Sequence, residues 1–406
     1  MDRAHDLVVY GATGYVGELT AAYLAEHAPA GVRIGLAGRS RAKLEAVRGR
    51  LPQGARDWPL LVADSADADA LAALAGSTRV LVTTVGPYAR YGLPVVEACA
   101  RAGTHYADLT GEVLFHRDAI DAVDKIARDT GAKIVHSCGY DSIPSDLGVF
   151  VLHERAAADG AGGLVDVDLV ASAKGGFSGG TIDSMRAQVE AVAADPSRRL
   201  VVGDLHSLSP ERAAEPVPRQ PSDAPLPGRR GERGTWTAPF VMASYNTRIV
   251  RRSNALLDFA YGRSLSYGES MGLGTGPVGA VVAVGVTAGL VGLLAGFSTA
   301  PTRAVLDRLL PKPGEGPSER ARAAGWFRMD IEATTDSGRR YHAKVAGTGD
   351  PGYAATAVML GESGLCLALD DLPDRAGSLT PATAMGSALV ERLVTAGHTY
   401  TVTDRR

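Results

Sequence analysis

Leu7-Val8-Val9-Tyr10-Gly11-Ala12-Thr13-Gly14-Tyr15-Val16-Gly17 opens on an apolar run of strand type and passes through three spaced glycines into the helical pattern Leu19 to Leu24. The order is strand, glycine turn, helix. A helix N-terminus offers backbone N–H groups that no intrahelical carbonyl accepts, and a turn without Cβ atoms lets a pyrophosphate approach them. The spacing G-x-x-G-x-x-G is a variant of the dinucleotide fingerprint. The same glycines also occur in loops that need them for turn geometry alone, so the flanking segments decide the reading.

Those segments repeat the unit. A second strand, Arg33 to Ala37, ends in Gly38-Arg39-Ser40-Arg41, where an NAD-specific domain would place an acid for the ribose hydroxyls. Arg39 and Ser40 suit a 2′-phosphate instead, which predicts NADPH, although Arg39 also fits a solvated helix start; Arg41 and Lys43 read as surface charges. A third strand, Pro59 to Ala63, ends at Asp64, placed either to reach adenine or to cap the helix after Ser65. The fourth, Val80 to Val85, runs into Gly86-Pro87-Tyr88, a turn suited to the nicotinamide ribose. Four strands separated by helical patterns predict an α/β fold: an N-terminal Rossmann doubly wound parallel sheet with ligands at the strands' carboxyl ends. The expected nucleotide set is Gly11, Thr13, Gly14, Tyr15, Val16, Gly17, Arg39, Ser40, Asp64, Val85, Gly86 and Pro87.

With 406 residues, 45% hydrophobic and 21% charged, the chain has material for two or three packed domains rather than disorder. A net charge of -3 gives no basic face for nucleic acid. Three cysteines without a C-x-x-C pair suggest neither a disulfide framework nor a metal site. Met1-Asp2-Arg3 leads straight into the first strand without a signal-peptide pattern, so a cytoplasmic protein is expected.

More specific phrases follow: V-G-P-Y-A-R-Y-G-L-P-V-V-E-A-C from Val85, G-T-H-Y-A-D-L-T-G-E from Gly103 and C-G-Y-D-S-I-P-S-D-L-G from Cys138. These resemble the saccharopine dehydrogenase-like family. L-P-K-P-G-E-G-P-S-E (Leu310 to Glu319), G-D-P-G-Y-A-A-T-A (Gly349 to Ala357) and L-T-P-A-T-A-M-G (Leu379 to Gly386) are similar to its trans-acting enoyl reductase branch, which is associated with long-chain lipid synthesis. The resemblance spans nearly the whole chain and implies an NADPH-dependent oxidoreductase, with a lipid-like or polyketide-derived, hydrophobic or carrier-bound substrate.

The expected division is 1–145 for the Rossmann domain, 146–378 for an α+β substrate domain, and 379–406 packing back on the Rossmann domain. Strands are predicted over Val165 to Ala171, Trp326 to Ile331 and Arg340 to Ala346, and a helix over Ile182 to Ala194 with Thr181 as N-cap. Ser207 to Gly234, rich in proline and charge, reads as an exposed loop or lid. Arg251-Arg252 among aromatic residues suggests a basic substrate anchor or, equally, core packing with a solvated charge pair. From Ser270 to Pro301 no charged residue occurs, and Gly285, Gly289, Gly292 and Gly296 carry small-residue spacing. A helix there has the roughly 20 residues that cross a bilayer. A single span would separate the later strands from their sheet, so a surface-lying helix at the cytoplasmic face of the membrane, a core helix or a homo-oligomer interface fits better.

Reduction of an activated C=C takes a hydride at the β carbon, a partner for the enolate oxygen and a proton for the α carbon. Tyr140 and Asp141, at a strand end facing the second domain, are the catalytic candidates; in the alternative, Asp141 caps the next turn and Tyr140 packs. His105, Tyr106 and Asp108 form another polar cluster at a predicted turn. A saccharopine-type amino-acid dehydrogenase, which requires several cations for its carboxylates, and a non-catalytic nucleotide-binding scaffold are the rival readings.

Overall fold

The computed structural model describes residues 3–175, 179–216, 218–231, 234–297, 302, 306 and 317–405. Its first sheet grows from β1 (His5–Tyr10), whose Leu7, Val8 and Val9 are fully buried, as a strand covered on both faces requires. Helix α1 (Tyr15–His27), β2 (Ile34–Gly38), α2 (Arg41–Arg50), β3 (Leu60–Val62), α3 (Ala68–Ser77), β4 (Thr78–Thr83) and α4 (Tyr88–Ala102) follow in alternation. Then come β5 (His105–Ala107), α5 (Val113–Thr130), β6 (Lys133–Val135) and α6 (Ile143–Ala158). His105–Tyr106 is therefore strand where a turn was expected: Tyr106 is fully buried, and its backbone pairs with both neighbouring strands.

The second sheet begins with β7 (Leu164–Lys174); α7 (Gly179–Ala194), α8 (Arg199–Gly203), β8 (Gly228–Arg230), β9 (Thr235–Ala238), α9 (Ala243–Leu256), β10 (Ser266–Gly272) and α10 (Gly276–Phe297) follow. The β11 (Trp326–Thr335) and β12 (Arg340–Thr348) strands pair as an antiparallel hairpin. Along β11, Phe327, Met329, Ile331 and Ala333 are buried and the intervening residues are not, the period of a sheet with one covered face. That face packs on α6, where a Cβ at Gly148 would stand 2.4 Å from the Ile331 side chain. Thr181 lies inside α7 rather than capping it, because the helix starts at Gly179. Residues 176–178 of the glycine-rich loop, 298–301 of the uncharged stretch and 310–316 of the Leu310–Glu319 phrase lie outside the described residues.

The chain then returns to the first sheet. The helix Thr356–Leu369 packs on α1, β1 and β4, and Gly364 permits this, since a Cβ there would come within 2.4 Å of Leu7 Cδ1. Strand β13 (Gly377–Leu379) adds parallel to β6, covering what would otherwise be an edge, and gives the order β13-β6-β5-β4-β1-β2-β3. A boundary at 378/379 thus cuts through a strand of the Rossmann sheet; the segment from about Thr356 belongs to that unit. The last strand, β14 (Thr399–Arg405), pairs with β12 and closes the second sheet in the order β14-β12-β11-β7-β10-β9-β8, so it does not join the first.

Candidate functional site

A cavity of about 1040 Å³ lies between the two sheets. Thr13, Gly14, Tyr15 and Val16, at the mouth of α1, form one wall. Gly14 stands at the N-cap position, and no side chain among the described residues caps the helix, which leaves the first N–H groups for a ligand. Gly11 and Gly17 make the turn possible without lining it. Gly11 has φ +87°, and a Cβ on Gly17 would sit 2.2 Å from the Gly11 carbonyl oxygen. The turn has the closeness that pyrophosphate binding requires.

Arg39 reaches the same cavity at the end of β2, exposed and without a hydrogen bond or salt bridge among the described residues. Lys43, one turn along, lines it as well. Ser40 instead caps α2, accepting from the Lys43 N–H at 3.4 Å, and does not line the cavity. Asp64 is exposed and accepts from the Ala66 N–H at 3.0 Å; it shapes the turn before α3, whose own cap is Asp67. Val85 lies behind the wall, against Gly11, while Thr84, Gly86 and Pro87 face the cavity. Glu112 holds this last turn, accepting from the N–H groups of Tyr88 at 3.1 Å and Ala89 at 2.8 Å, at the favourable end of the α4 dipole.

Apolar residues line much of the rest of the cavity, Phe240, Met242, Met271, Leu273 and, from the underside of α10, Leu290 and Leu293, with α7 adding Asp183, Ser184 and Gln188. Tyr140, Asp141 and Tyr245 line it too. The Tyr140 ring meets Phe240 and Phe327 edge-on, and no group among the described residues hydrogen-bonds to its hydroxyl. Burial pushes that phenol well up from its ordinary range. Burial, with the charge of Asp108 adding to it, pushes the Asp141 carboxyl up to about 7, against a backbone hydrogen bond that favours the anion. A carboxyl so placed holds a proton near neutral pH and can donate it. Tyr245, buried beside His116 and Ser137, belongs to the aromatic stretch Trp236 to Tyr245 that the sequence offers either as pocket lining or as core; the stretch gives it no chemical role, and only the folding of α9 against α5 brings His116 to its hydroxyl.

Arg251 and Arg252 do not reach the cavity. They are 4% and 1% exposed; Arg251 bonds Gln220 and the Tyr267 carbonyl, and Arg252 donates to the carbonyls of Leu208 and Ser378. They tie the proline-rich segment and β13 to α9, so the anchor reading gives way to a structural one. Among the described residues lining the cavity, Arg39 and Lys43 are the cations, both at the nucleotide end. No group of three or more His, Cys, Asp or Glu able to hold a metal occurs among the described residues.

The family model for the saccharopine dehydrogenase NADP binding domain matches residues 7–135. A Mycobacterium tuberculosis protein provisionally named a trans-acting enoyl reductase is 53% identical over 97% of this chain and 96% of its own. The trans-acting enoyl reductase of Mycobacterium ulcerans is 47% identical, with 97% of each chain covered, and that of Mycobacterium bovis BCG 46% identical, with 98% and 97% covered. The solved structure of apo saccharopine dehydrogenase (L-Glu forming) from Saccharomyces cerevisiae aligns over 98% of this chain and 99% of its own with a TM-score of 0.58 at 12% identity, a likeness of fold.

Proposed function

Since the chain belongs to the trans-acting enoyl reductase branch of the saccharopine dehydrogenase-like family and is an NADPH-dependent oxidoreductase, we propose that it reduces the α,β double bond of an apolar enoyl thioester. The supporting observation is the make-up of the cavity's lining. Among the described residues the lining cations, Arg39 and Lys43, stand at the nucleotide end, while the rest of the lining carries methionine, leucine and phenylalanine with Asp183, an anion, among its polar residues. A saccharopine-like substrate would leave its carboxylates without partners there; an acyl chain buries apolar surface. Carriage of that chain on a carrier belongs to the same reading.

The residues present fit a dinucleotide. The uncapped N-terminus at Gly14 to Val16 suits the pyrophosphate, Arg39 with Lys43 suits the 2′-phosphate, and Thr84 with Gly86 and Pro87 suits the nicotinamide ribose. When bound, NADPH supplies the hydride for the β carbon. Asp141, protonated up to a pH of about 7, donates a hydrogen bond to the thioester oxygen and so favours the enolate form. Tyr140 contributes an apolar wall and keeps water from that oxygen.

Helix α10 supports a reading of where the protein works. Its 22 residues are uncharged, and its underside lines the cavity while Val278, Val281, Val284 and Val291 are 60–76% exposed. We assign that outer face to the cytoplasmic membrane surface, the helix lying in the headgroup boundary with the cavity directly beneath. The direct test is NADPH oxidation by the purified chain with an enoyl thioester, with saccharopine, and with no substrate. Oxidation specific to the thioester is expected, and oxidation with saccharopine alone overturns the reading.

A further inference from the structure

Behind the cavity wall lies a buried polar network that nucleotide binding does not use. Asp108 accepts four hydrogen bonds: from the Tyr106 hydroxyl at 2.9 Å, the Ser137 N–H at 2.9 Å, the Thr110 N–H at 3.1 Å and His136 Nδ1 at 2.7 Å. With both Asp108 oxygens serving as acceptors, His136 donates to Asp108 from Nδ1. The His116 ring packs against that of His136, with 4.3 Å between centroids. His116 Nδ1 lies 2.9 Å from the Tyr245 hydroxyl, and the Ser137 hydroxyl lies 2.5 Å from it. Ser137 itself holds φ +64°, an uncommon backbone state for a residue other than glycine.

The proton count orders this network. Ser137 has one hydroxyl proton and donates it to the Thr110 carbonyl at 2.6 Å, so its oxygen accepts from Tyr245. The Tyr245 oxygen then accepts from His116, which must carry its proton on Nδ1. Burial and the nearby His136 and Arg252 lower the His116 pKa well below its usual range, so one proton is all it holds, and its Nε2, buried, has no partner among the described residues. The result is a tyrosine on the cavity wall whose oxygen is backed by an imidazole N–H and by a hydroxyl that can turn toward it.

We propose that Tyr245 is the catalytic proton donor to the α carbon, and that His116 and Ser137 are positioning residues that hold its oxygen as the proton leaves. The inference rests on the enoyl reduction proposed above. As the Ser137 hydroxyl turns from the Thr110 carbonyl to donate to the Tyr245 oxygen, the Tyr245 proton is released to turn toward the cavity; the Tyr245 O–H bond then breaks and a C–H bond forms at the α carbon. The phenolate keeps the His116 N–H and the Ser137 hydroxyl. After product release the phenolate regains a proton from solvent through the cavity. Among the described residues four other phenols line the cavity. Tyr140 has no donor to its oxygen among the described residues. Tyr15 and Tyr88 give their protons to the carbonyls of Pro317 at 2.9 Å and Thr83 at 3.0 Å, which cannot donate back. Tyr353 accepts from the Gly179 N–H at 3.3 Å, with no imidazole beside it among the described residues. The groups facing Tyr245 are His116, Ser137, Asp108, Asp141 and Glu112; the three carboxyls oppose a phenolate, and the two donors must offset them.

The test reduces crotonyl-N-acetylcysteamine with NADPH in deuterium oxide, using the full chain. Tyr245→Phe should lower kcat by about 10²–10⁴-fold, leave the NADPH Kd within about twofold, and scatter deuterium over both faces of the α carbon where the native protein labels one. His116→Gln, which keeps an N–H, should retain more activity than His116→Leu at equal stability. Activity near native with one-faced labelling in Tyr245→Phe overturns the assignment. A second readout needs no substrate: ¹⁵N-histidine NMR should show His116 as the Nδ1–H tautomer, with that signal moved in Tyr245→Phe. The Nε2–H tautomer overturns the network even if the native protein reduces the thioester. Failure of the native protein to reduce it overturns the enoyl reading instead, leaving the tautomer result to stand separately.

Discussion

Arg39→Ala separates recognition of the 2′-phosphate from everything else the nucleotide site does. Arg39 is exposed at the cavity edge and makes no hydrogen bond or salt bridge among the described residues, so its removal leaves no buried partner orphaned and should not change the fold. A hydrogen bond to a charged group contributes about 1.5–3 kcal/mol. Exposure to solvent places this one toward the lower end. At about 1.4 kcal/mol per decade the NADPH affinity should fall roughly tenfold, while NADH, with no phosphate to lose, should bind as before. Lys43→Ala should add a smaller loss with the same selectivity, and Arg39→Asp should invert the preference. The assay is calorimetric titration of both cofactors at low and high salt. At 1 M salt, with a screening length of about 3 Å, the NADPH-specific loss should shrink. Equal weakening of both cofactors would mean that Arg39 supports the turn rather than the phosphate; no weakening of either would return it to an ordinary surface charge.

Asp141 gives a pH prediction. Its carboxyl is raised from 3.8 to about 7 in the fold, so the stability that its proton contributes is full below about pH 4 and lost as pH rises through 7. Urea unfolding should find Asp141→Asn more stable than the native protein at pH 8 and much closer to it at pH 4, and a constant difference would exclude the shift. Native kcat/KM should fall tenfold per pH unit above about 7, a break absent from the asparagine variant. Gly17→Ala should abolish NADPH binding and cost about 1–3 kcal/mol, because the new Cβ would stand 2.2 Å from the Gly11 oxygen and 2.8 Å from Thr84 Oγ1; tight binding in a folded variant would disprove the packing described. Val281→Lys with Val284→Lys, both on the outer face of α10, should release the protein from lipid vesicles in a flotation assay without altering NADPH affinity. Val286→Lys, on the cavity face, should leave flotation intact and impair substrate turnover; the reverse pattern would reassign the helix's faces.

What was legible in the sequence is what contiguous residues encode. Leu7 to Gly17 carries strand, turn and helix in one stretch because each follows from local periodicity and backbone freedom, and repetition of the unit implies a parallel sheet with its ligand end at Gly14, Arg39 and Gly86. The uncharged run after Ser270 likewise declares an apolar helix by composition alone. Composition is silent on which side of that helix meets the cavity, since Val284 and Val286 are the same residue two places apart and only packing puts one outside and the other in. Tertiary structure also decided that Gly377–Leu379 completes a sheet begun at His5, and that Arg252 is held by the carbonyls of Leu208 and Ser378 rather than by substrate. Asp108, His116, Ser137 and Tyr245 meet in one buried network although more than a hundred residues separate its ends. Such a meeting leaves no local signature, because closing a long loop is driven by surface buried elsewhere and each side chain alone reads as an ordinary core polar residue.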